Sequence, residues 1–258
     1  MSHHILELKD ISHQYSDGTL ALSGLSLRIL HGESVAIVGA NGSGKTSMLL
    51  HLNGCLAPSQ GEIRIGELPI RKKTLQHIRK TVGMVFQDPD DQLFMPTVYE
   101  DVAFGPLNMG YPEKEIENRV QSALEKVGGN HLINRVPYRL SGGEKRMVAI
   151  ATVLAMEPDI LVMDEPTANL DPKARRRLIS WLKTFFHTKI IATHDLDMAL
   201  EVCDRTVILY QGKLRADGKS CDILKNKELL EENDLELPLS LLSCPVCNKQ
   251  KIKATEHI

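Results

Sequence analysis

Val35-Ala36-Ile37-Val38-Gly39-Ala40-Asn41-Gly42-Ser43-Gly44-Lys45-Thr46-Ser47-Met48-Leu49-Leu50 is the stretch that decides how this chain folds. Its first four residues are continuously apolar, as in a short strand covered on both faces of a parallel sheet. Its last four have helical texture. Between them, Gly39 to Thr46 satisfies the pattern G-x-x-x-x-G-K-[ST] at every fixed position. In that pattern glycines let backbone N–H groups wrap around phosphates, and the N-terminus of the following helix adds its positive end. A glycine-rich turn would account for the glycines, but not for a strand before them and a helix after. Gly39, Asn41, Gly42, Ser43, Gly44 and Ser47 are therefore candidate phosphate-binding positions. Lys45 would reach the β- and γ-phosphates, and the Thr46 hydroxyl would ligate Mg²⁺.

Working outward, the same continuously apolar pattern recurs at Ile160-Leu161-Val162-Met163 and at Ile190-Ile191-Ala192. Each run ends in polar residues, Asp164-Glu165 in one case and Thr193-His194-Asp195 in the other. Ligands of open α/β sheets bind beyond the carboxyl ends of the strands, so these residues point towards the phosphate loop. Asp164 is placed to hold Mg²⁺ through water. Glu165 is placed to orient and deprotonate an attacking water, a division of labour suited to phosphoryl transfer. Val82 to Phe86 reads as a further strand that delivers Gln87 to the site.

Towards the N-terminus the texture differs. Leu6 and Leu8, then Leu25, Leu27 and Ile29, alternate as in half-exposed antiparallel strands. From about 90 to 158 the pattern is helical, with Ile116, Val120, Ala123 and Val127 recurring after Pro112. The expected fold is α/β: a P-loop NTPase core, RecA-like with a mostly parallel sheet, an antiparallel β subdomain, and an inserted α-helical subdomain over 90–158. One ATPase domain would span 1–220, and 221–258 would be a C-terminal extension.

Composition sets the outer bounds. Among 258 residues 42% are apolar, enough for one large domain or two lobes. With 31 Lys+Arg against 33 Asp+Glu, the net charge of -2 gives no reason to expect nucleic acid as a partner. No apolar run approaches the ~18 residues of a membrane span, and no secretory signal is recognisable, so the chain reads as cytosolic. Five cysteines do not suggest a disulfide framework. Cys244-Pro245-Val246-Cys247 supplies half a zinc site, which two tails of a homodimer would have to complete; a bland tail is the simpler expectation. His3 and His4 read as fraying terminal residues rather than metal ligands.

Leu140-Ser141-Gly142-Gly143-Glu144, followed by a helical run, resembles the LSGGQ motif of the ATP-binding-cassette (ABC) family. The family's other elements stand in the family's order over residues 4–220, and their joint presence is specific where each alone is not. The resemblance implies that Tyr15 stacks on adenine, that Gln87 is the Q-loop glutamine and adds a ligand to Mg²⁺, that Asp171 is the D-loop aspartate coupling a dimer, and that His194 bonds the γ-phosphate. It further implies that Ser141, Gly142, Gly143 and Glu144 serve ATP bound by another subunit. The expected assembly is a homodimer, or a heterodimer with a related ATPase, closed over two ATP molecules. Glu144 departs from the common glutamine, and Ala168-Asn169-Leu170-Asp171 departs from the serine that often begins that loop.

After Gln87 come Asp88-Pro89-Asp90-Asp91-Gln92-Leu93-Phe94 and a run from Pro96 to Pro106. With Ser141 to Arg146, this string resembles the ATPases of energy-coupling-factor (ECF) importers, and most of all their cobalt/nickel branch. The resemblance implies a groove, with Asp88, Asp90 and Asp91 at its edge, for basic coupling helices of a transmembrane subunit, and a separate substrate-binding membrane subunit. It places the protein peripherally on the cytoplasmic face of the cell membrane. The alternatives are an ECF importer for a vitamin, or a soluble, non-transport cassette ATPase. The latter usually carries two cassettes or a long coiled-coil insertion, and neither is visible. Intact Lys45, Asp164, Glu165 and His194 argue against a module that binds without hydrolysing.

Overall fold

The structure is a computed structural model that describes residues 4–242. Cys244, Cys247 and His3 lie outside the described residues. In chain order the first half comprises β1 (His4–Gln14), β2 (Leu20–Leu30), β3 (Ser34–Val38), α1 (Lys45–Leu52), β4 (Gln60–Ile65), β5 (Leu68–Pro69), α2 (Leu75–Thr81), β6 (Val82–Val85), α3 (Val98–Asn108) and α4 (Glu113–Val127). The second half comprises α5 (Gly142–Leu154), β7 (Ile160–Asp164), α6 (Pro172–Thr184), β8 (Thr188–Ala192), α7 (Leu196–Val202), β9 (Arg205–Tyr210), β10 (Lys213–Lys219), α8 (Ser220–Ile223) and α9 (Lys227–Glu231).

The strands form two sheets. One is antiparallel in the order β2-β1-β4-β5. The other runs β10-β9-β3-β8-β7-β6, parallel from β9 to β6 with β10 antiparallel at one edge. Every residue of β3, β7 and β8 is buried, which is why these segments read as unbroken apolar runs. In β2, buried Leu25, Leu27 and Ile29 alternate with exposed neighbours.

The pleat sorts the parallel strands between two cores. Val35 and Ile37 join Val162, Ile190 and Val207 against Met48 and Leu49 of α1 and the antiparallel sheet. Ala36 and Val38 join Leu161, Met163, Ile191 and Ile208 against the helices of the other face. Side chains two apart share a face, so one strand stitches both layers together. The helical layer follows its local signals. Thr97 caps α3, and α4 ends at Gly128 in the left-handed conformation with φ 74°.

The segment after β10 is rich in charge from Lys225 to Asp234, yet Leu224 and Leu230 are fully buried in the main core. Farther on, the Leu239 and Ser240 N–H groups donate to the Asp197 carboxylate on α7. None of the described helices is long and apolar enough to cross a membrane.

Candidate active site

The phosphate loop leaves β3 and enters α1 under tight steric control. Gly44 has φ 103°, and a Cβ there would lie 2.5 Å from the Ala21 carbonyl oxygen. At Gly39 a Cβ would meet the Leu209 carbonyl oxygen at 2.2 Å. Glycine is thus required by backbone packed against backbone, not only by conformational freedom. Lys45 opens α1 with its ammonium folded back into the loop, donating to Gly39 O at 2.7 Å and Ala40 O at 3.1 Å. The residue is 8% exposed. Burial lowers its pKa, and Glu165 and Asp164 partly restore it.

Thr46 donates its hydroxyl to Asp164 Oδ2 at 2.7 Å, joining the start of α1 to the end of β7. Asp164 Oδ1 is buried without a hydrogen-bond partner. Burial pushes this carboxyl above its usual range; the Thr46 bond opposes the shift, and the neighbouring Glu165 charge adds to it. A hydroxyl and a carboxylate in contact, with one carboxylate oxygen unsatisfied, form a hard-oxygen donor set that fits Mg²⁺. Gln87 lines the same cleft as Thr46 and Asp164.

Glu165 follows β7 in the left-handed region at φ 48°, and its N–H donates to Ala192 O at 2.9 Å. This turn carries the side chain over the end of β8. Its Oε2 accepts from Thr193 Oγ1 at 3.3 Å and His194 N at 3.2 Å, and His194 Nδ1 lies 2.7 Å away. Glu165 is buried, whereas the His194 side chain is 69% exposed. Tyr15 stands at the mouth of the cleft with its hydroxyl 2.9 Å from Ser47 Oγ.

Ser141 to Glu144 are not among the residues lining this cleft. Ser141 caps α5, and Glu144 closes a capping box: its carboxylate accepts from Ser141 N at 2.8 Å and Ser141 Oγ at 2.7 Å. These bonds hold the Glu144 carboxyl below its usual range. Ser141 and Gly142 are exposed. Asn169 packs behind them, close enough that a Cβ on Gly143 would lie 3.4 Å from its carbonyl oxygen. Asp171 caps α6, accepting from Lys173 N at 2.8 Å and Ala174 N at 3.0 Å.

The acidic loop is partly satisfied from within. Asp88 Oδ1 accepts from Asp90 N at 2.9 Å, and Asp90 pairs with Lys145 at 2.6 Å. Asp91 is exposed.

Three groups that sequence reasoning did not single out hold these pieces in place. Arg146, 1% exposed, donates to Phe86 O at 2.7 Å and to Gln87 O. Gln92 donates to Ala149 O and Thr152 Oγ1, both at 2.7 Å, and accepts from Phe86 N at 3.1 Å. Between them the segment around Gln87 is fastened to α5. Arg175 forks onto Asp195 at 2.8 and 2.9 Å. A charged residue on the apolar face of a helix, as Arg146 is among Ala149, Ile150 and Val153, was the available signal.

Compared with known proteins, residues 22–168 match the ABC transporter family. The chain belongs to that family. A protein of Geobacter sulfurreducens named for the same family is 63% identical over 96% of this chain and 100% of its own. The energy-coupling factor transporter ATP-binding protein EcfA of Methanocaldococcus jannaschii is 44% identical over 96% of this chain and 90% of its own. Among solved structures, cbiO1 from Clostridium perfringens, described as part of the ABC transporter complex cbiONQ, is 41% identical with a TM-score of 0.77, covering 90% of this chain and 94% of that one. A dimeric ATP-binding cassette in a post-hydrolysis state with ADP and Pi is 30% identical with a TM-score of 0.77, covering 83% of this chain and 98% of that one. This ABC protein is an ATP-binding and ATP-hydrolysing subunit of the ECF type that works with Mg²⁺.

Proposed function

We propose that this chain powers an ECF-type importer for a transition-metal ion, cobalt or nickel, by hydrolysing ATP between two cassettes. The observation that carries the hydrolytic half is the buried Glu165 carboxylate, held by Thr193 and His194 directly beside the Thr46–Asp164 pair. Lys45 and the loop N–H groups bind the triphosphate, and Thr46, Asp164 and Gln87 hold Mg²⁺. When bound, Mg²⁺ neutralises charge on the phosphate oxygens. Glu165 takes the proton of the attacking water, and His194 leaves Glu165 to bond the γ-phosphate. Asp171, at the head of α6, couples the two cassettes.

The second half of each site comes from a second copy or a related ATPase. Ser141 and Gly142 sit exposed, and Gly143 and Glu144 half-buried, at the head of α5, outside the lining of their own cleft, and a similar cassette was solved as a dimer with ADP and Pi. The importer assignment rests on the likeness to EcfA and cbiO1. It is supported by the surface beside the acidic loop, where exposed Phe94 and Phe104 stack edge-on at 5.0 Å near exposed Leu107. Phe104 and Leu107 line a groove with Glu100 and Glu113, and with the acidic loop of Asp88, Asp90 and Asp91 just before Phe94 in the chain this surface suits a basic, amphipathic helix of a transmembrane subunit that works with a substrate-binding membrane subunit.

Glu165→Gln should retain ATP binding while hydrolysis falls by about 10²- to 10⁴-fold. Undiminished phosphate release would remove Glu165 as the base. Co-expression with the membrane subunits, followed by uptake of cobalt, nickel and vitamins, tests the cargo. Vitamin uptake without metal uptake would overturn the metal assignment and leave the ATPase assignment standing.

A further inference from the structure

Two histidines lie together inside the protein, outside every motif described so far. His13, near the end of β1, is 8% exposed and His51, in the last turn of α1, is 0% exposed. Their rings meet edge to face, 4.7 Å between centroids at 77°. His51 Nδ1 lies 2.6 Å from Ser47 O, and His13 Nδ1 lies 3.2 Å from Ala57 O. A carbonyl oxygen only accepts, so each Nδ1 carries the hydrogen and each Nε2 of a neutral ring carries a bare lone pair. Both Nε2 atoms are buried without a hydrogen-bond partner. Among buried polar groups this is unusual enough to require a reason.

The contacts continue to the nucleotide cleft. Ser47, whose carbonyl receives His51, places its hydroxyl 2.9 Å from the Tyr15 hydroxyl. The Tyr15 ring in turn meets His13 edge-on, 4.8 Å between centroids at 90°. His13, His51, Ser47 and Tyr15 thus form a closed circuit between the exposed aromatic and the helix that begins with Lys45 and Thr46.

We propose that His13 and His51 are positioning residues for base recognition: as a neutral pair they fix the Tyr15 ring relative to the phosphate helix. The inference rests on the reading of Tyr15 as the adenine platform. A proton on the pair would place positive charge between two buried rings and disturb the edge-to-face contact that Tyr15 shares. Burial pushes the His51 imidazole below its ordinary value and His13 acts in the same direction, while the Ser47 and Ala57 carbonyls oppose them. Facing the pair is the Tyr15 phenol, and beyond the end of α1 the Arg79 guanidinium of α2 is engaged with Asn53 O at 3.5 Å. Loss or protonation of the pair therefore weakens recognition of the base and spares recognition of the triphosphate.

The test is the ratio of Mg²⁺·ATP affinity to Mg²⁺·methyl triphosphate affinity, measured by calorimetry on the full chain. Methyl triphosphate lacks the nucleoside but carries the same set of ionisable phosphate oxygens, so the ratio cancels most of the titration of the phosphates themselves. The wild-type ratio should fall by about threefold or more as the pH is lowered from about 7.5 through the ordinary histidine range to about 5. In the His13→Gln/His51→Gln variant, whose amides can keep the bonds to the carbonyls but lose the rings, the ratio should lie below the wild-type neutral value and become flat with pH. His51→Ala should lower it already at neutral pH. A wild-type ratio independent of pH, or a pH dependence that survives in the double glutamine variant, would overturn the inference, and the first needs no variant to fold. Tyr15→Ala separates the two levels: an unchanged ratio removes the platform reading and this inference with it. A lowered ratio, with the histidine variants silent, removes this inference alone.

Discussion

The chain carries two halves of a nucleotide site in opposite physical states. At the ends of β3, β7 and β8 the groups are buried and incompletely satisfied: Asp164 Oδ1 and Ser43 Oγ lack partners, Asp164 is pushed up by burial, and Lys45 folds onto its own loop. At the head of α5 the groups are exposed and closed on themselves, with Ser141 and Glu144 bonded reciprocally. Beside a glycine-rich loop that opens a helix, unsatisfied buried polar groups fit a charged ligand. A capped, exposed helix start is stable as it stands and is free to meet a second molecule. On the proposed function, the first half would serve phosphate and Mg²⁺ and the second a partner's ligand.

If that contrast holds, the link between the halves should be the most sensitive point. Arg146→Met removes the buried guanidinium from Phe86 O and Gln87 O and leaves both carbonyls without it. The expected loss is about 2–4 kcal/mol, seen as a lower denaturant midpoint, because orphaned buried acceptors carry their full desolvation penalty. A midpoint equal to wild type would show that the halves are not held together there.

Asp164→Asn probes the unsatisfied half. The folded-state pKa of Asp164 is raised, so between its unfolded value near 3.8 and the higher folded value the native chain binds more protons, and stability falls as pH rises through that window. Removing the charge should raise the stability of the nucleotide-free protein at neutral pH by about 1–2 kcal/mol, while Mg²⁺·ATP no longer stabilises it as it does wild type. A destabilised variant would mean that Asp164 is satisfied by its surroundings.

Ser141→Ala probes the self-satisfied half and should act least on the isolated chain. Loss of the cap should lower stability by about 0.5–1 kcal/mol in thermal melts, with ATP affinity of the single chain unchanged. A clear loss of single-chain ATP affinity would place Ser141 in its own cleft and erase the contrast.

The two halves also differed in how far the sequence disclosed them. The phosphate loop was legible because its demands are local: glycine where Leu209 and Ala21 carbonyls crowd the backbone, and unbroken apolar runs where strands are covered on both sides. The alternation of Leu25, Leu27 and Ile29 marked the second sheet in the same way. The fastenings were not legible. Arg146 meets Phe86 and Gln92 meets Thr152 across 60 residues of chain, so their partners exist only after α5 docks. Likewise Asp90 reads as a free carboxylate until Lys145 is brought to it. In the stretch after β10, abundant charge hid Leu224 and Leu230, two buried anchors six residues apart with no periodic pattern between them.

The central claim is that a phosphate loop in one copy is completed by the head of α5 in another. Sedimentation of Glu165→Gln with Mg²⁺·ATP tests it most directly. The expected result is a shift from monomer to dimer holding two ATP molecules, abolished when Ser141→Ala and Gly143→Asp are added. A monomer that retains ATP as tightly as a closed site should, without any second chain, would contradict it.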